Sequence, residues 1–315
     1  MATPVLAGRS AGTRPGRPRR GGPARRRTSG DLKIALVFIL PALIGLVFFY
    51  LVPTIRGIYL SFTDYSILGD PDWVGVKNYQ AIAKDPLFWN ALWVTVEYVV
   101  INIVLQTAIA LGLALLMHHV ARSTWVRGAL LMPYLMANVI AALLWFWMLD
   151  YQIGIVNQII EWLGLPRVAF FGDEGWAIPT QALINTWRNM GYTALLIFAG
   201  LQAIPGNLYE AARLDGSGPF QTFGRITLPL LRPVLALVLV LTVTGSFQVF
   251  DTVAVTTGGG PVNATRVLQY YIFQRAFNEQ DFGYGSAIAV ILFLILMVVA
   301  ILQMKFLRGN ESDLD

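Results

Sequence analysis

Long uncharged, apolar runs alternate with short polar stretches along this chain of 315 residues. Each run has about the 17–25 residues that an α-helix needs to cross the hydrocarbon core of a membrane. A soluble protein can bury one such helix in its core, but six of this length favour a polytopic membrane protein. The runs cover residues 34–55, 98–117, 128–149, 189–209, 233–250 and 282–304.

The basic residues between these runs predict the orientation of the helices. With both termini in the cytoplasm, the inner segments hold 16 of the 23 Lys and Arg residues, and the outer loops hold six. Basic residues accumulate on the cytoplasmic side of membrane proteins. The pattern therefore predicts an all-α protein of the cytoplasmic (inner) membrane, embedded in lipid, with six transmembrane helices and both termini in the cytoplasm.

Composition and the chain ends agree with this prediction. Hydrophobic residues make up 56% of the chain and charged residues 13%, about half the usual charged share, and the absence of cysteine excludes disulfides. The basic Gly/Pro/Arg tail at 1–30 is predicted to be disordered and cytoplasmic. It could contact RNA, but a positive-inside anchor is favoured, so no nucleic acid is expected as a partner. A six-span domain at 31–307 and a short cytoplasmic tail at 308–315 follow.

A polar segment at about 205–230 interrupts the apolar pattern between the fourth and fifth runs. It contains Glu-Ala-Ala-Arg-Leu-Asp-Gly at 210–216 and Ile-Thr-Leu-Pro at 226–229. The predicted topology places this segment in the cytoplasm. Glu210 could serve only to cap its own helix, or a small helix here could dock into a cytoplasmic partner. The residues alone leave both interpretations open.

Turn and capping residues predict two short helices in the polar segment. Asn207 is expected to cap the first helix, with Glu210 three residues later in a capping box. Gly216 is expected to end it, because glycine tolerates the left-handed conformation at a helix C-terminus. Pro219 suits the first turn of the second helix, and Pro229 is expected to stop the segment before the fifth span.

The same segment resembles the EAA loop of ATP-binding-cassette (ABC) import permeases. Both have Glu-Ala-Ala, three residues, Gly, nine residues, Ile, one residue and Leu-Pro. The resemblance implies that this segment is a coupling helix that fits a groove on an ATP-hydrolysing subunit. The residues expected to couple to that subunit are Glu210, Ala211, Ala212, Asp215, Gly216, Ile226 and Pro229.

Further motifs resemble the carbohydrate-import permeases of the maltose and glycerol-phosphate type. They include Leu-Met-Pro-Tyr at 131–134, Asn-Thr-Trp at 185–187 and Phe-Gln-Val-Phe-Asp at 247–251. The resemblance covers about 31–307 and implies a type I ABC importer permease fold with a sugar as substrate. It also implies a second permease subunit, two ATPase subunits that bind ATP and Mg, and a solute-binding lipoprotein. No cofactor or metal is expected in this chain itself.

The second and fourth spans are expected to begin earlier than their uncharged runs and to include Glu97 and Arg188, and Asp251 lies at the outer end of the fifth span. These three ionisable residues are candidate functional groups, because such groups are costly in a membrane. Glu97 or Asp251 could pair with Arg188 and hold the helices together, or could face water. Asn185, Asn189 and other polar or aromatic residues surround Arg188 in the sequence, and this mixture suits the hydroxyls and apolar faces of a sugar.

The resemblance assigns seven residues to the substrate path. They are Tyr134, Asn138, Arg188, Asn189, Tyr192, Ser246 and Val249. Arg188 and Val249 depart in polarity from the maltose-type pattern, so maltose itself is not the expected sugar. The arginine could bind a phosphate or carboxylate on the substrate, or donate to neutral hydroxyls.

Two other classes of function compete with an ABC permease. A secondary transporter driven by an ion gradient would need span acids and usually shows inverted repeats, but it has no need for a docking loop. A membrane-embedded enzyme is less favoured still, because His118 and His119 are the only histidines and no catalytic motif contains them. The chain has no Gly-Lys pair and therefore no P-loop, so ATP would have to be hydrolysed by a partner.

Overall fold

The computed structural model describes residues 29–67, 69–119 and 124–308. Residues 1–28 of the predicted N-terminal tail and residues 309–315 at the C-terminus lie outside this part. Within it, every regular element is helical, and β pairing is confined to two isolated bridges. The described α-helices are α1 (Ser29–Leu46), α2 (Val52–Leu60), α3 (Lys77–Lys84), α4 (Pro86–His119), α5 (Thr124–Leu135), α6 (Asn138–Met148), α7 (Ile155–Trp162), α8 (Glu174–Gln202), α9 (Gly206–Leu214), α10 (Pro219–Thr222), α11 (Leu228–Phe247), α12 (Asp251–Thr256), α13 (Leu268–Phe273) and α14 (Phe282–Arg308).

The long helices support the prediction of a polytopic membrane protein. Among the described residues, four helical stretches are long and apolar enough to cross a membrane, and α5 with α6 makes a fifth if this bent pair is one span. The four are Val37–Leu60, Pro86–His118, Pro219–Thr256 and Phe282–Lys305. At about 1.5 Å per residue, the 29 residues of α8 are also long enough, but its polar residues keep α8 outside this apolar set.

The chain divides into two compact units, Met1–Pro53 and Thr54–Asp315. In the first unit the described residues are helical throughout, and nearly all of the described side chains are apolar and exposed. An apolar, exposed helix of this kind suits contact with lipid.

Two hydrophobic clusters form the core of the second unit. In one cluster, α4 packs against α8 through fully buried small residues such as Ala110 and Ala194. Small residues allow helices in membranes to approach closely. In the other cluster, Tyr98 of α4 and Ile178 of α8 pack with Tyr271 of α13. The two clusters fix α4 and α8 as the central pair of this unit.

A close approach at Gly191 places α5 against α8. A Cβ atom at this position would lie 1.8 Å from the backbone oxygen of Leu130. Only glycine, which has no Cβ, fits such an approach. The contact brings the C-terminal half of α5 next to the polar part of α8.

The third predicted span is broken rather than straight. α5 and α6 meet at 94° around Met136 and Ala137. Ala137 has an extended conformation, with φ −62° and ψ 143°, and precedes the first residue of α6. The break leaves the last carbonyl groups of α5 without helical partners.

The polar segment at 205–230 begins differently from the prediction. α9 starts at Gly206 after Pro205, whose ψ of 130° is already extended, and no side chain caps this end. Asn207 is therefore the second helical residue and Glu210 the fifth, so the expected capping box is wrong. The physical reason is that Pro205 itself supplies the fixed φ at which a helix can start.

The end of α9 agrees with the prediction. Gly216 has a φ of +74°, and its N–H donates to the backbone oxygen of Arg213 at 3.1 Å. The N–H of Ser217 donates to the backbone oxygen of Ala212 at 2.9 Å. These two bonds form a Schellman motif, and Pro219 then begins α10 after Gly218.

Pro229 does not stop the polar segment, contrary to the prediction. α10 continues through a short π-helix (Phe223–Thr227) directly into α11, so the helical path is unbroken from Pro219 to Phe247. Proline is accommodated here because it directly follows the π-helix, where the N–H of Leu228 already bonds to the backbone oxygen of Phe223, five residues back, and not four.

Asp85 ties α4 to two other helices at the end where α4 begins. Its Oδ2 accepts hydrogen bonds from the hydroxyl of Tyr271 at 2.5 Å and from that of Tyr284 at 2.7 Å. Partial burial raises the pKa of Asp85, but these hydroxyls and the backbone N–H groups of Leu87 and Phe88 outweigh it, so the pKa lies below its ordinary value.

Candidate functional site

A polar cavity of about 260 Å³ lies among α4, α5, α6, α8 and α11. A smaller cavity of about 80 Å³ adjoins it, and both are lined by Asn138, Asn185, Arg188 and Gly245. The structure brings all seven residues assigned to the substrate path to these cavities. The larger one is lined by Tyr134, Asn138, Arg188, Asn189, Tyr192 and Ser246, and the smaller one by Val249.

Arg188 is anchored at the break between α5 and α6. Its Nε donates to the backbone oxygen of Met136 at 3.0 Å, and its Nη2 donates to that of Tyr134 at 3.2 Å. Tyr134 lies in the last turn of α5 and Met136 lies one residue beyond it, where helical partners are missing. The guanidinium of α8 therefore caps α5 across the helix interface while it lines both cavities.

Arg188 pairs with neither of the two acids considered from the sequence. Among the described residues, the ion pairs are formed by Arg167 and Arg275. Glu97 is exposed on α4, and Asp251 accepts a hydrogen bond from the Nδ2 of Asn138 at 2.8 Å. The ion pair of Arg188 with Glu97 or Asp251 that the sequence suggested is therefore wrong. Arg188 donates to backbone carbonyl oxygens at the break after α5 and not to a carboxylate.

Two tyrosine rings stack on each other at the wall of the larger cavity. The ring centroids of Tyr134 and Tyr192 are 4.6 Å apart, and the ring planes differ by 9°. The Cζ of Arg188 lies 5.4 Å from the centroid of the Tyr134 ring. Since each ring covers one face of the other, a sugar can stack only on an outer face of the pair or after the pair separates.

Buried neutral groups extend the site beyond the residues predicted for it. Asn102 and Gln106, which are 1% and 5% exposed, lie four residues apart on one face of α4. The Nδ2 of Asn102 donates to the Oγ of Ser246 at 2.8 Å, and the Nε2 of Gln106 donates to the Oγ1 of Thr193 at 2.9 Å. A search for ionisable groups misses these residues. In the sequence, the sign of these residues is a pair of amide side chains four residues apart, as on one face of a helix, inside an uncharged run.

The residues assigned to ATPase coupling lie mostly on an exposed surface. Exposed positions are Glu210, Ala211, Asp215 and Gly216, half-buried positions are Ile226 and Pro229, and Ala212 is buried. Beside them, Leu214 is 88% exposed and Phe220 is 94% exposed. Large apolar side chains rimmed by polar residues in this way are typical of an interaction site.

Apolar helices around a cavity of amides and hydroxyls are typical of a membrane protein that passes polar solutes. The family described as binding-protein-dependent transport system inner membrane component matches residues 86–309 of the chain, well over half of its length. The chain belongs to this family. It is thus an inner-membrane permease component, not a catalytic subunit.

Characterised relatives align with nearly the whole chain. The sulfoquinovosyl glycerol transport system permease protein SmoG of Agrobacterium fabrum is 36% identical over 285 residues, which cover 90% of this chain and 92% of SmoG. The trehalose/maltose transport system permease protein MalF of Thermococcus litoralis is 33% identical over 284 residues, which cover 90% and 96% of the two chains.

Among solved structures, a chain of a bacterial ABC transporter involved in the import of the acidic polysaccharide alginate has a similar fold. The TM-score is 0.80 at 23% sequence identity, and the match covers 90% of this chain and 99% of that one. This likeness confirms the fold of an ABC importer permease.

Proposed function

We propose that this chain is the permease subunit of an ATP-driven ABC importer that moves a sugar or sugar derivative into the cell by alternating access. The observation that carries the proposal is the larger cavity, whose amides, hydroxyls and tyrosine rings suit the hydroxyls and apolar faces of a sugar. The names of SmoG and MalF, which refer to sugars, support the same class of substrate. The substrate is of the disaccharide, oligosaccharide or glycerol-phosphate type.

The proposed assembly contains six spans from this chain, with both termini in the cytoplasm, and six spans from a second permease subunit. Two ATPase subunits bind ATP and Mg, and a solute-binding lipoprotein delivers the sugar at the outer face. The complex of the alginate transporter with a pentasaccharide-bound periplasmic protein supports a partner of that kind. An ion-coupled secondary transporter has no support from the family match.

The exposed surface of α9 and α10 is the proposed contact with an ATPase subunit. Glu210 offers a carboxylate to an arginine of the partner, and Ala211 allows close approach of the backbones. Leu214 and Phe220 supply apolar area that is otherwise open to water. Closure of the ATPase dimer would then move α9 and α10, and with them the helices that line the cavity.

Reconstituted transport tests the substrate class. The chain is purified with its partner subunits and binding protein and placed in liposomes that contain ATP. A sugar panel of maltose, trehalose, sulfoquinovosyl glycerol and an alginate trisaccharide is tested for its effect on the melting temperature of the binding protein, and then for uptake. We expect ATP-dependent uptake of at least one panel sugar. We also expect Tyr192→Ala and Asn189→Ala to reduce that uptake by about tenfold or more, because they remove a ring and a hydrogen-bonding amide from the cavity.

Trp162→Ala is the matched control, because this exposed residue lines neither cavity. Its uptake should equal that of the wild-type complex. A wild-type complex that hydrolyses ATP but imports no panel sugar would reject the proposed substrate class. Unchanged uptake in both cavity variants would instead assign Tyr192 and Asn189 to packing alone.

A further inference from the structure

A chain of buried and half-buried hydrogen bonds runs from α8 through α4 to α11 beside the larger cavity. The Nδ2 of Asn189 donates to the Oδ1 of Asn185 at 2.9 Å, and the Nδ2 of Asn185 donates to the Oδ1 of Asn102 at 2.9 Å. The Nδ2 of Asn102 then donates to the Oγ of Ser246 at 2.8 Å, and this hydroxyl donates to the backbone oxygen of Thr242 at 2.6 Å. Each group thus donates to the next in a single direction.

Backbone carbonyl groups fix this direction at both ends, because a carbonyl oxygen can only accept. At one end, the Nδ2 of Asn189 also donates to the backbone oxygen of Asn185 at 2.9 Å, which sets the orientation of the Asn189 amide. At the other end, the bond to Thr242 commits the hydrogen of Ser246, so Ser246 must accept from Asn102. The orientations of Asn102 and Asn185 follow from these two constraints.

Asn102 has no capacity left for a substrate. Its Nδ2 also donates to the Oε1 of Gln106 at 3.2 Å, and its Oδ1 also accepts from the Oγ1 of Thr186 at 3.4 Å. With both N–H groups and both lone pairs engaged, its amide is saturated. Its neighbours keep free donors: one N–H each on Asn185 and Gln106, both of which line the cavity.

We propose that Asn102 is a positioning residue for substrate selection, which sets the donor pattern that the cavity presents by orienting Asn185 and Gln106. This inference rests on the proposed function. Ser246 belongs to the path assigned by resemblance, whereas α4 contributes no residue to that path. Asn102 acts through its neighbours and does not contact the sugar.

Replacement of Asn102 by a leucine of similar size, Asn102→Leu, tests the proposal in the reconstituted complex. The panel sugar that the wild-type complex transports best is used as the probe, and uptake is measured over a range of its concentrations. We expect KM to rise by about tenfold or more, because Asn185 and Gln106 lose the partner that orients their amides. The maximal rate should change by less than about threefold, and preference among the panel sugars should weaken. Gln106→Met provides a second variant if Asn102→Leu does not assemble, with a smaller rise in KM expected.

Thr95→Val is the matched control on α4. The Oγ1 of Thr95 is buried and accepts from the backbone N–H of Leu268 at 2.8 Å, but Thr95 lines neither cavity. This variant should lower the melting temperature without a change in KM. A KM within twofold of the wild-type value, with unchanged sugar preference, in an assembled Asn102→Leu or Gln106→Met complex would overturn the inference. A wild-type complex that transports no panel sugar would instead refute the proposed function.

Discussion

At the residue scale, Arg188 illustrates what residue types can and cannot predict. Its polar neighbours in the sequence correctly indicate that it faces a cavity. Two of its hydrogen-bond partners are main-chain oxygens at the break between α5 and α6, and no side-chain pattern marks such atoms. The sequence therefore predicts that the residue lies at the site, but not that two of its N–H groups are already engaged.

Arg188→Lys separates a cap on α5 from a site for an anionic substrate. Lysine keeps the charge but cannot reach two carbonyl oxygens with a planar fork. The lost charge-assisted hydrogen bond is worth about 1.5–3 kcal/mol, so we expect a lower melting temperature and slower uptake of every panel sugar. Arg56→Lys, at an exposed position that lines neither cavity, should change neither quantity. Full uptake of the anionic sulfoquinovosyl glycerol by Arg188→Lys would instead favour a role in binding anions.

At the element scale, the sequence predicts how α9 ends better than how it begins. Gly216 is a local signal, because the left-handed conformation is costly for any residue with a Cβ. The start of α9 depends on Pro205, which can end one helix or begin the next, and the sequence does not distinguish these roles. The break between α5 and α6 is similarly hidden, since Pro133 lies inside α5 and the bend follows three residues later.

Gly216→Ala tests whether the Schellman motif matters for coupling. An alanine at a φ of +74° costs about 1–2 kcal/mol, so the end of α9 should loosen. We expect stimulation of ATP hydrolysis by the loaded binding protein to fall at least severalfold. Gly218→Ala is the control, because this residue has a φ of −73° and open space around its Cβ position. Equal stimulation in the two variants would show that the end of α9 does not limit coupling.

The tie at Asp85 predicts a pH dependence of stability. The pKa of Asp85 is lower in the folded chain than its ordinary value, so its contribution is present above an unfolded pKa of about 3.9 and is lost as pH falls through the folded pKa. Asp85→Asn should therefore lower the melting temperature at pH 7, and the difference from the wild-type chain should begin to shrink below about pH 4 and disappear only below the folded pKa. Thermal unfolding in detergent at several pH values measures it. A difference that stays constant with pH would contradict a stabilising role for the ionised carboxylate of Asp85.

At the scale of the whole molecule, the apolar runs predict the class of protein, whereas the number of six spans stays a prediction. Six runs are predicted, whereas the described residues contain four apolar stretches or five with the bent pair. The discrepancy arises at α8, where Asn185, Arg188 and Asn189 face the cavity and reduce the apolar character of the helix. The polar residues with which a helix lines a cavity also lower its hydropathy, so such a helix is difficult to recognise as a span.

Single cysteines test the predicted orientation, because the chain contains no cysteine of its own. Leu163→Cys and Trp125→Cys place a thiol at exposed positions on opposite predicted sides of the membrane. In cells whose cell wall or outer membrane has been removed but whose cytoplasmic membrane is intact, a membrane-impermeant maleimide should label the first variant and not the second. After permeabilisation it should label both. The opposite order of labelling would invert the proposed topology.

The unbroken helical path from Pro219 to Phe247 has a mechanical consequence. At about 1.5 Å per residue, Phe220 and Ser246 lie about 40 Å apart along one rod. No loop lies between them, although the π-helix and Pro233 are sites where a helix can bend. A tilt of about 10° of the whole path about one end moves the other end by about 7 Å. A small change in the angle of the helix at α10 thus becomes a displacement at the cavity of roughly the width of a sugar ring. The fold of the helix does not have to change.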